Sequence, residues 1–203
     1  MQASTCMEGW LMNDAYRTSD KILMTAIDLM SEKGYDATTT KEIAAAAGVN
    51  EVTLFRHFGS KQKLLETAFE RYSYEEEMTE VFQESLQWEL YEDLLLISRT
   101  YHKIMNRNRK LLYMALKGSS KEIYQKAGRL PQHLRTLLTR YFAVMMDKKK
   151  LSTPHLEMTV FSFMAMNYGA FFSADDGKEA LPEQTLDEFI EESVRLFARA
   201  LTP

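Results

Sequence analysis

The chain has 203 residues, a net charge of -4 and one cysteine, Cys6. A single cysteine excludes an internal disulfide, a cysteine zinc cluster and a thiol redox pair, and it is typical of a protein of the reducing cytoplasm. The longest apolar stretch, Val160–Phe172, is too short to span a bilayer and is interrupted by polar residues. We therefore expect a cytoplasmic protein that does not insert into a membrane.

Residues that break helices are rare, because the chain holds only four prolines and eight glycines. No stretch of alternating β-branched residues is bounded by turn signals. These features predict an all-α fold of about nine helices. The segments expected are an N-terminal arm without a clear period at residues 1–17, a compact helical unit at 18–64 and a larger helical domain at 65–203.

Four helices are predicted in the first third of the chain. Their capping and stopping residues are, in order, Ser19 and Gly34, Thr39 and Gly48, Asn50 and Gly59, and Ser60, which opens a long helix reaching about residue 82. Thr39 and Glu42 have the spacing of a capping box. Because the second and third helices are too short to persist alone in water, they must pack against the first and fourth. Further helices are predicted at about 89–106, 108–117, 120–127, 131–148, 154–174 and 185–201.

The two short helices have the spacing of a helix-turn-helix, with Gly48 at the turn. A helical wheel of residues 50–58 buries Leu54 and Phe58, while Val52 and Arg56 point away from them. Valine can contact a thymine methyl group, and arginine can bind guanine O6 and N7. Lys61 lies in the first turn of the next helix, where a cation opposes the helix dipole unless a phosphate also binds there. Each of these residues alone could belong to a solvated charged surface. Taken together with the short capped helices, they favour DNA binding.

The segment GYDATTTKEIAAAAGVNEVTLFRHFGSKQKLL, residues 34–65, resembles the DNA-binding domain of the TetR family of bacterial transcriptional repressors. The shared motifs are IA-x-x-AGV, T-L-[aromatic]-x-H-F and S-K-x-x-L-L, and the resemblance covers about residues 18–65. It implies an N-terminal three-helix DNA-binding domain at residues 18–64, followed by a ligand-binding and dimerisation domain. It further implies a homodimer that binds a palindromic operator in double-stranded DNA and is released by a small-molecule inducer.

The residues expected at DNA are Thr40, Lys41, Asn50, Glu51, Val52, Thr53, Phe55, Arg56, His57 and Lys61. The resemblance implies DNA contacts for Thr53 and His57 and a phosphate contact for Lys61. Phe55 stands where the family usually has tyrosine, so a hydroxyl bond to phosphate is lost, and Val52 stands where glycine is common. Glu51 either accepts a hydrogen bond from cytosine N4 or stabilises the helix dipole.

Two further sites are expected in the larger domain. A dimer interface is expected along a stripe of small residues and one face of the last helix, namely Ser162, Ala165, Gly169, Ser173, Ile190, Val194 and Phe197. The alternative is that these helices only close the core of the monomer. The candidates for a ligand cavity are Tyr113, Phe142, Met145, Met146, Phe163, Met166 and the polar Asn167, and core packing explains each equally well.

The function that these features favour is a ligand-responsive transcriptional regulator, a repressor without catalytic chemistry. Residues 17–64 carry a net charge of +1, so the remainder carries about -5, and DNA should approach one end of the chain. The alternative is a helical module that binds a protein partner. An enzyme is disfavoured because the histidines at 57, 102, 133 and 155 lack metal-ligand spacing and Cys6 has no evident partner. No metal or cofactor is expected.

Overall fold

A computed structural model describes residues 3–71, 75–117, 129–173 and 185–203. Its α-helices are α1 (Ala3–Lys33), α2 (Thr40–Ala46), α3 (Glu51–Phe58), α4 (Lys61–Arg71), α5 (Glu75–Glu80), α6 (Leu90–Arg107), α7 (Arg109–Lys117), α8 (Arg129–Asp147), α9 (Leu156–Ser173) and α10 (Leu186–Leu201). A single π-helical turn, Val81–Ser85, follows α5. No β-strand occurs in the described ranges, so the all-α prediction is confirmed.

Most helix boundaries lie within two residues of those expected, but two elements differ. Helix α1 begins at Ala3 rather than near Ser19, because no proline interrupts residues 3–33 and the helix can extend toward the N-terminus. The long fourth helix is described as α4 and α5, and residues 72–74 between them lie outside the described residues. The helix expected at 120–127 also lies outside them.

The helices form two compact units. The first unit contains α1 to α4 together with α7, and the second contains α5, its π turn, α6, α8, α9 and α10. The segment boundaries expected at residues 17 and 64 stay predictions. None of the helices in the described ranges combines the length and the apolar character that a membrane span requires.

One hydrophobic core holds the first unit together. Its fully buried side chains include Ile22, Ala26, Ile43, Leu54 and Leu64, which come from α1, α2, α3 and α4. Residues Leu111 and Met114 of α7 join the same core. The two short helices are therefore supported by longer neighbours, as their length requires.

Ion pairs join helices of the second unit at its surface. Glu77 of α5 accepts hydrogen bonds from Lys103 and Arg107 of α6, at 3.0 and 2.8 Å, and these cations lower the pKa of Glu77. Arg99 of α6 binds both carboxylate oxygens of Asp187 of α10 at 2.9 Å. Such exposed pairs orient helices more than they stabilise them.

A carboxylate is buried in the second unit between α6 and α8. Asp93 is 1% exposed and accepts hydrogen bonds from the Gln87 N–H at 2.7 Å and from the Tyr141 hydroxyl at 2.8 Å. The Trp88 ring stacks on Tyr141 at a centroid distance of 5.8 Å. Burial, followed by the neighbouring Asp93 carboxylate, raises the pKa of Tyr141. The carboxylate is thus satisfied by two donors, as a buried charge must be.

Candidate nucleic-acid interface

Local hydrogen bonds fix α2 and α3. The Thr39 hydroxyl accepts the Glu42 N–H at 3.2 Å, and the Glu42 carboxylate accepts the Thr39 N–H at 2.9 Å, so the predicted capping box is present. The Asn50 side chain caps α3 by accepting the Val52 N–H at 2.9 Å. Gly48, in the turn between them, has φ of +65°, a conformation that glycine adopts without strain.

The Glu42 carboxylate of the capping box is held in its ionised form. The Thr39 N–H is the main cause, and Lys33 adds an ion pair at 3.1 Å. Together they lower the pKa of Glu42 to about 2. The carboxylate also lies at the N-terminus of α2, where an anion favours the helix.

Helix α3 presents one apolar face to the core and the opposite face to solvent. Leu54 is 0% and Phe58 6% exposed, whereas Val52 is 72% and Phe55 44% exposed. Arg56 is exposed beside them. The buried and exposed sides of the helical wheel are confirmed, and Val52, Phe55 and Arg56 form an accessible surface, which we call the reading face.

The cations near the reading face differ in their pairing. Lys63 is paired with Glu66 at 3.2 Å, and Lys33 with Glu42. Within the part of the chain that the structure describes, neither Lys41 nor Arg56 has a carboxylate within 4.0 Å. These two side chains are therefore free to bind an external anion or a base edge.

Thr40 and Glu51 bind each other across the helix-turn-helix. The Thr40 hydroxyl donates to the Glu51 carboxylate at 2.7 Å, joining the first residues of α2 and α3. Both are half-buried. The bond uses one carboxylate oxygen and leaves the other able to accept a second donor, so a role in the fold and a role at DNA are compatible.

The Lys61 side chain is hydrogen-bonded within the fold. Its ammonium donates to the carbonyls of Tyr35 and Thr38, both at 2.7 Å, and lies 4.2 Å from the centre of the Tyr35 ring. Burial lowers its pKa, while Asp36 and Glu42 act in the opposite direction. The sequence suggested a phosphate contact; the geometry shows a clamp that fastens the α1–α2 turn to the start of α4.

The remaining predicted residues of this surface are less exposed or already engaged. Thr53 and His57 are half-buried on the flanks of α3, and the Asn50 side chain is used by the helix cap. Lys21 of α1 was not expected here, yet a Cβ built on Gly48 would lie 3.4 Å from its ammonium. No sequence motif brings Lys21 to the turn; only the packing of α1 does so.

The ligand candidates do not form one cavity. Phe142, Met145, Phe163 and Asn167 are buried in the second unit, where the Phe142 and Phe163 rings lie 6.4 Å apart. Met146 and Met166 are half-buried in the same unit. Tyr113 lies on α7, in the first unit, because α7 packs against α1.

Not all the dimer candidates face solvent. Ser162, Ala165 and Gly169 are exposed on α9, and Ser173 and Phe197 are half-buried. Ile190 and Val194 are 4% and 0% exposed, so they belong to the core of the protomer and cannot face a partner. The large apolar residues that are exposed on these two helices are Met158, Phe161 and Tyr168 of α9 and Leu196 of α10. We call this set the α9–α10 face. It was missed because helical periodicity does not distinguish a core stripe from an interface stripe.

Comparison with known proteins identifies a family match in the N-terminal region and a relative that spans most of the chain. The family of bacterial regulatory proteins, tetR family, matches residues 22–68. Over almost its whole length, the chain is similar to YvkB, an HTH-type transcriptional regulator of Bacillus subtilis (strain 168). The two are 27% identical over 187 residues, which cover 91% of this chain and 97% of YvkB.

Solved structures share the fold of the chain. NalD of Pseudomonas aeruginosa, the secondary repressor of the MexAB-OprM multidrug efflux pump, has a TM-score of 0.71 at 22% identity, covering 94% of this chain and 98% of NalD. FadR of Bacillus subtilis in complex with stearoyl-CoA has a TM-score of 0.67 at 18% identity, covering 88% of this chain and 96% of FadR. At these identities the likeness concerns the fold alone.

Proposed function

We propose that the chain, whose residues 22–68 match the tetR family of bacterial regulatory proteins, is a dimeric repressor of that family, which binds a palindromic operator and is released by a small-molecule inducer. The observation that carries the proposal is the reading face. Val52, Phe55 and Arg56 are exposed on a helix whose opposite side is anchored in the core, which is the arrangement of a recognition helix in a major groove.

Each side chain near this face has a role that follows from its chemistry. Arg56 binds a guanine through O6 and N7, and Val52 and Phe55 contact thymine methyl groups or sugars. Lys41 and Lys21 contact phosphates, which gives affinity without sequence information. Lys61 holds the α1–α2 turn and acts on DNA only through the position of α2.

The dimer rests on the α9–α10 face. Phe161 is 65% and Leu196 65% exposed, and exposed apolar side chains in one patch indicate an interaction surface. A Cβ built on Gly169 would meet nothing within 4 Å, so this position leaves room for a partner helix. Two copies paired here would present two reading faces to half-sites about 34–36 Å apart.

Release follows from a population shift. A ligand that binds one arrangement of the two reading faces more tightly than the other changes the affinity for the operator by the same free energy. Two proteins with this fold support the proposal: NalD is a repressor, and FadR was solved with stearoyl-CoA. The proposal contains no catalytic step.

Selection of fragments from random duplex DNA by the full chain tests the proposal, followed by titration of the selected duplex at 50 and 200 mM salt. A phosphate-binding repressor should select a palindrome and lose affinity steeply with salt, about 1000-fold or more for six or more phosphate contacts. A protein-interaction module would select no sequence and show no such slope.

Sedimentation of the full chain tests the dimer. It should find a dimer that Phe161→Glu disrupts, whereas Val144→Glu, at an exposed apolar position of α8, should leave the dimer intact.

A further inference from the structure

Val52 carries the most exposed of the large apolar side chains in the described ranges. It is 72% exposed, against 44% for Phe55, which lies one turn further along α3. The fold imposes this exposure, because Leu54 and Phe58 hold the opposite side of the helix in the core, at 0% and 6% exposed. Apolar surface left in water adds nothing to stability, and two neighbouring apolar side chains on one exposed face indicate a surface that meets a partner.

The first turn of α3 holds Val52 in one place. The Asn50 side chain accepts the Val52 N–H at 2.9 Å, and the carboxylate of the preceding residue, Glu51, accepts the Thr40 hydroxyl at 2.7 Å. The valine side chain is itself stiff, because it branches at Cβ and has one strongly preferred rotamer in a helix. A side chain that is already ordered loses little conformational freedom when it binds. Val52 is therefore prepared for a specific apolar contact.

The chemistry of valine limits what it can recognise on DNA. It has no donor and no acceptor, and the one apolar group on the base edges of the major groove is the C5-methyl group of thymine. The modified base 5-methylcytosine carries the same methyl group on the same carbon. Thymine and 5-methylcytosine differ beside it in an acceptor or a donor at position 4, to which valine cannot hydrogen-bond. A valine that recognises the methyl group does not distinguish the two bases.

Arg56 determines where this methyl group lies. It is exposed, and in the described part of the chain no carboxylate lies within 4.0 Å of it, so it can bind guanine O6 and N7. Residues four apart share one side of an α-helix, with Cβ atoms about 5–6 Å apart, and neighbouring base pairs are about 3.4 Å apart. When Arg56 binds a guanine, Val52 therefore faces a base pair one or two steps away.

We propose that Val52 reads the C5-methyl group of a pyrimidine one or two steps from the guanine that Arg56 binds, so that methylation of a cytosine at this position turns a rejected C·G pair into an accepted one. A thymine at this position makes the same contact. The inference rests on the proposed function and adds a modified base, 5-methylcytosine, to what the reading face binds. It makes operator binding sensitive to methylation of the DNA.

Fluorescence anisotropy of the full chain with synthetic versions of the selected duplex tests the inference. Each thymine is replaced in turn by deoxyuridine, which lacks only the methyl group. At one thymine per half-site, one or two steps from the guanine whose discrimination Arg56→Ala removes, the replacement should weaken binding about fourfold, as expected for one buried methyl group. When a C·G pair is placed there instead, 5-methylcytosine should bind about fourfold more tightly than cytosine.

Two variants assign the effect to one side chain. Val52→Ala should bind the duplexes with cytosine and with 5-methylcytosine equally, whereas Val144→Ala, at an exposed valine of α8, should keep the difference. Three results would overturn the inference and leave the repressor in place: a selected half-site without that guanine or without a thymine one or two steps from it, equal binding of cytosine and 5-methylcytosine by wild type, or a difference that Val52→Ala retains. If no duplex is selected, the proposed function fails together with the inference.

Discussion

The two units of the molecule differ in how completely their buried polar groups are hydrogen-bonded. In the first unit, the Thr38 hydroxyl donates to the carbonyls of Leu29 and Gly34, and Ser19 accepts a hydrogen bond from Arg71. In the second, Ser98, His102 and Asn108 keep buried polar atoms without a partner among the described residues. The first unit is complete in itself and directs its free groups outward. Among its described residues, the second keeps unpaired polar atoms inside.

Substitution in the core of the first unit should have the largest effect. Leu54 is 0% exposed on the side of α3 opposite the reading face, so Leu54→Ala should lower the free energy of unfolding by about 2–5 kcal/mol. Val52→Ala, on the exposed side of the same helix, should change it by less than about 0.5 kcal/mol. Chemical denaturation compares the two. Similar losses for both would contradict the assignment of the two faces.

The second unit offers a test of paired against unpaired polar groups. Tyr141→Phe removes a donor from the buried Asp93 carboxylate and should cost about 1.5–3 kcal/mol of stability, the usual value for a hydrogen bond to a charged group. Ser98→Ala removes a hydroxyl that has no partner and should cost nothing. The same denaturation series measures both. A larger loss for Ser98→Ala would show that this hydroxyl is satisfied, and the contrast between the units would disappear.

Variants of Lys61 and Lys41 distinguish a lysine that stabilises the fold from a lysine that contacts a DNA phosphate. Lys61→Met should cost roughly 1 kcal/mol of stability, because its hydrogen bonds to the Tyr35 and Thr38 carbonyls are lost. It should leave the salt dependence of operator binding unchanged. Lys41→Met should leave stability unchanged and reduce the slope of log K against log salt by about 0.9. The reverse pattern would show that Lys61 contacts a phosphate, as the sequence suggested.

The smallest expected effect is the response of the capping box to acid. The folded pKa of Glu42, about 2, lies below its unfolded value, so its contribution is complete above pH 4.5 and is lost as the pH falls toward 2. Glu42→Gln keeps an oxygen for the cap but has no charge. It should flatten the fall in Tm between pH 4.5 and 2, whereas Glu70→Gln, at an exposed carboxylate, should not. If the Tm of wild type and of Glu42→Gln falls equally between pH 4.5 and 2, the Glu42 carboxylate does not stabilise the fold in this way.

The features that were predicted correctly from the sequence are those that depend on residues close together in the chain. The caps at Thr39 and Asn50 and the stops at Gly34, Gly48 and Gly59 follow from neighbouring residues, and all are present. It did not find the Lys61 clamp, because the acceptors are backbone carbonyls of Tyr35 and Thr38, more than twenty residues away. Nor could it separate Ile190 and Val194, which are buried, from Leu196, which is exposed. Long-range packing decides that distinction, and a single sequence does not record it.

The most direct test of the account is the base preference of the Arg56→Ala variant. Its affinity for the selected duplex, and for the set of duplexes with each base pair changed in turn, is compared with that of the wild type. Arg56→Ala should weaken binding to the selected duplex by about 1–3 kcal/mol and lose discrimination at one base pair per half-site, with the other positions unchanged. If the variant instead binds every duplex as selectively as the wild type, the reading face does not read DNA.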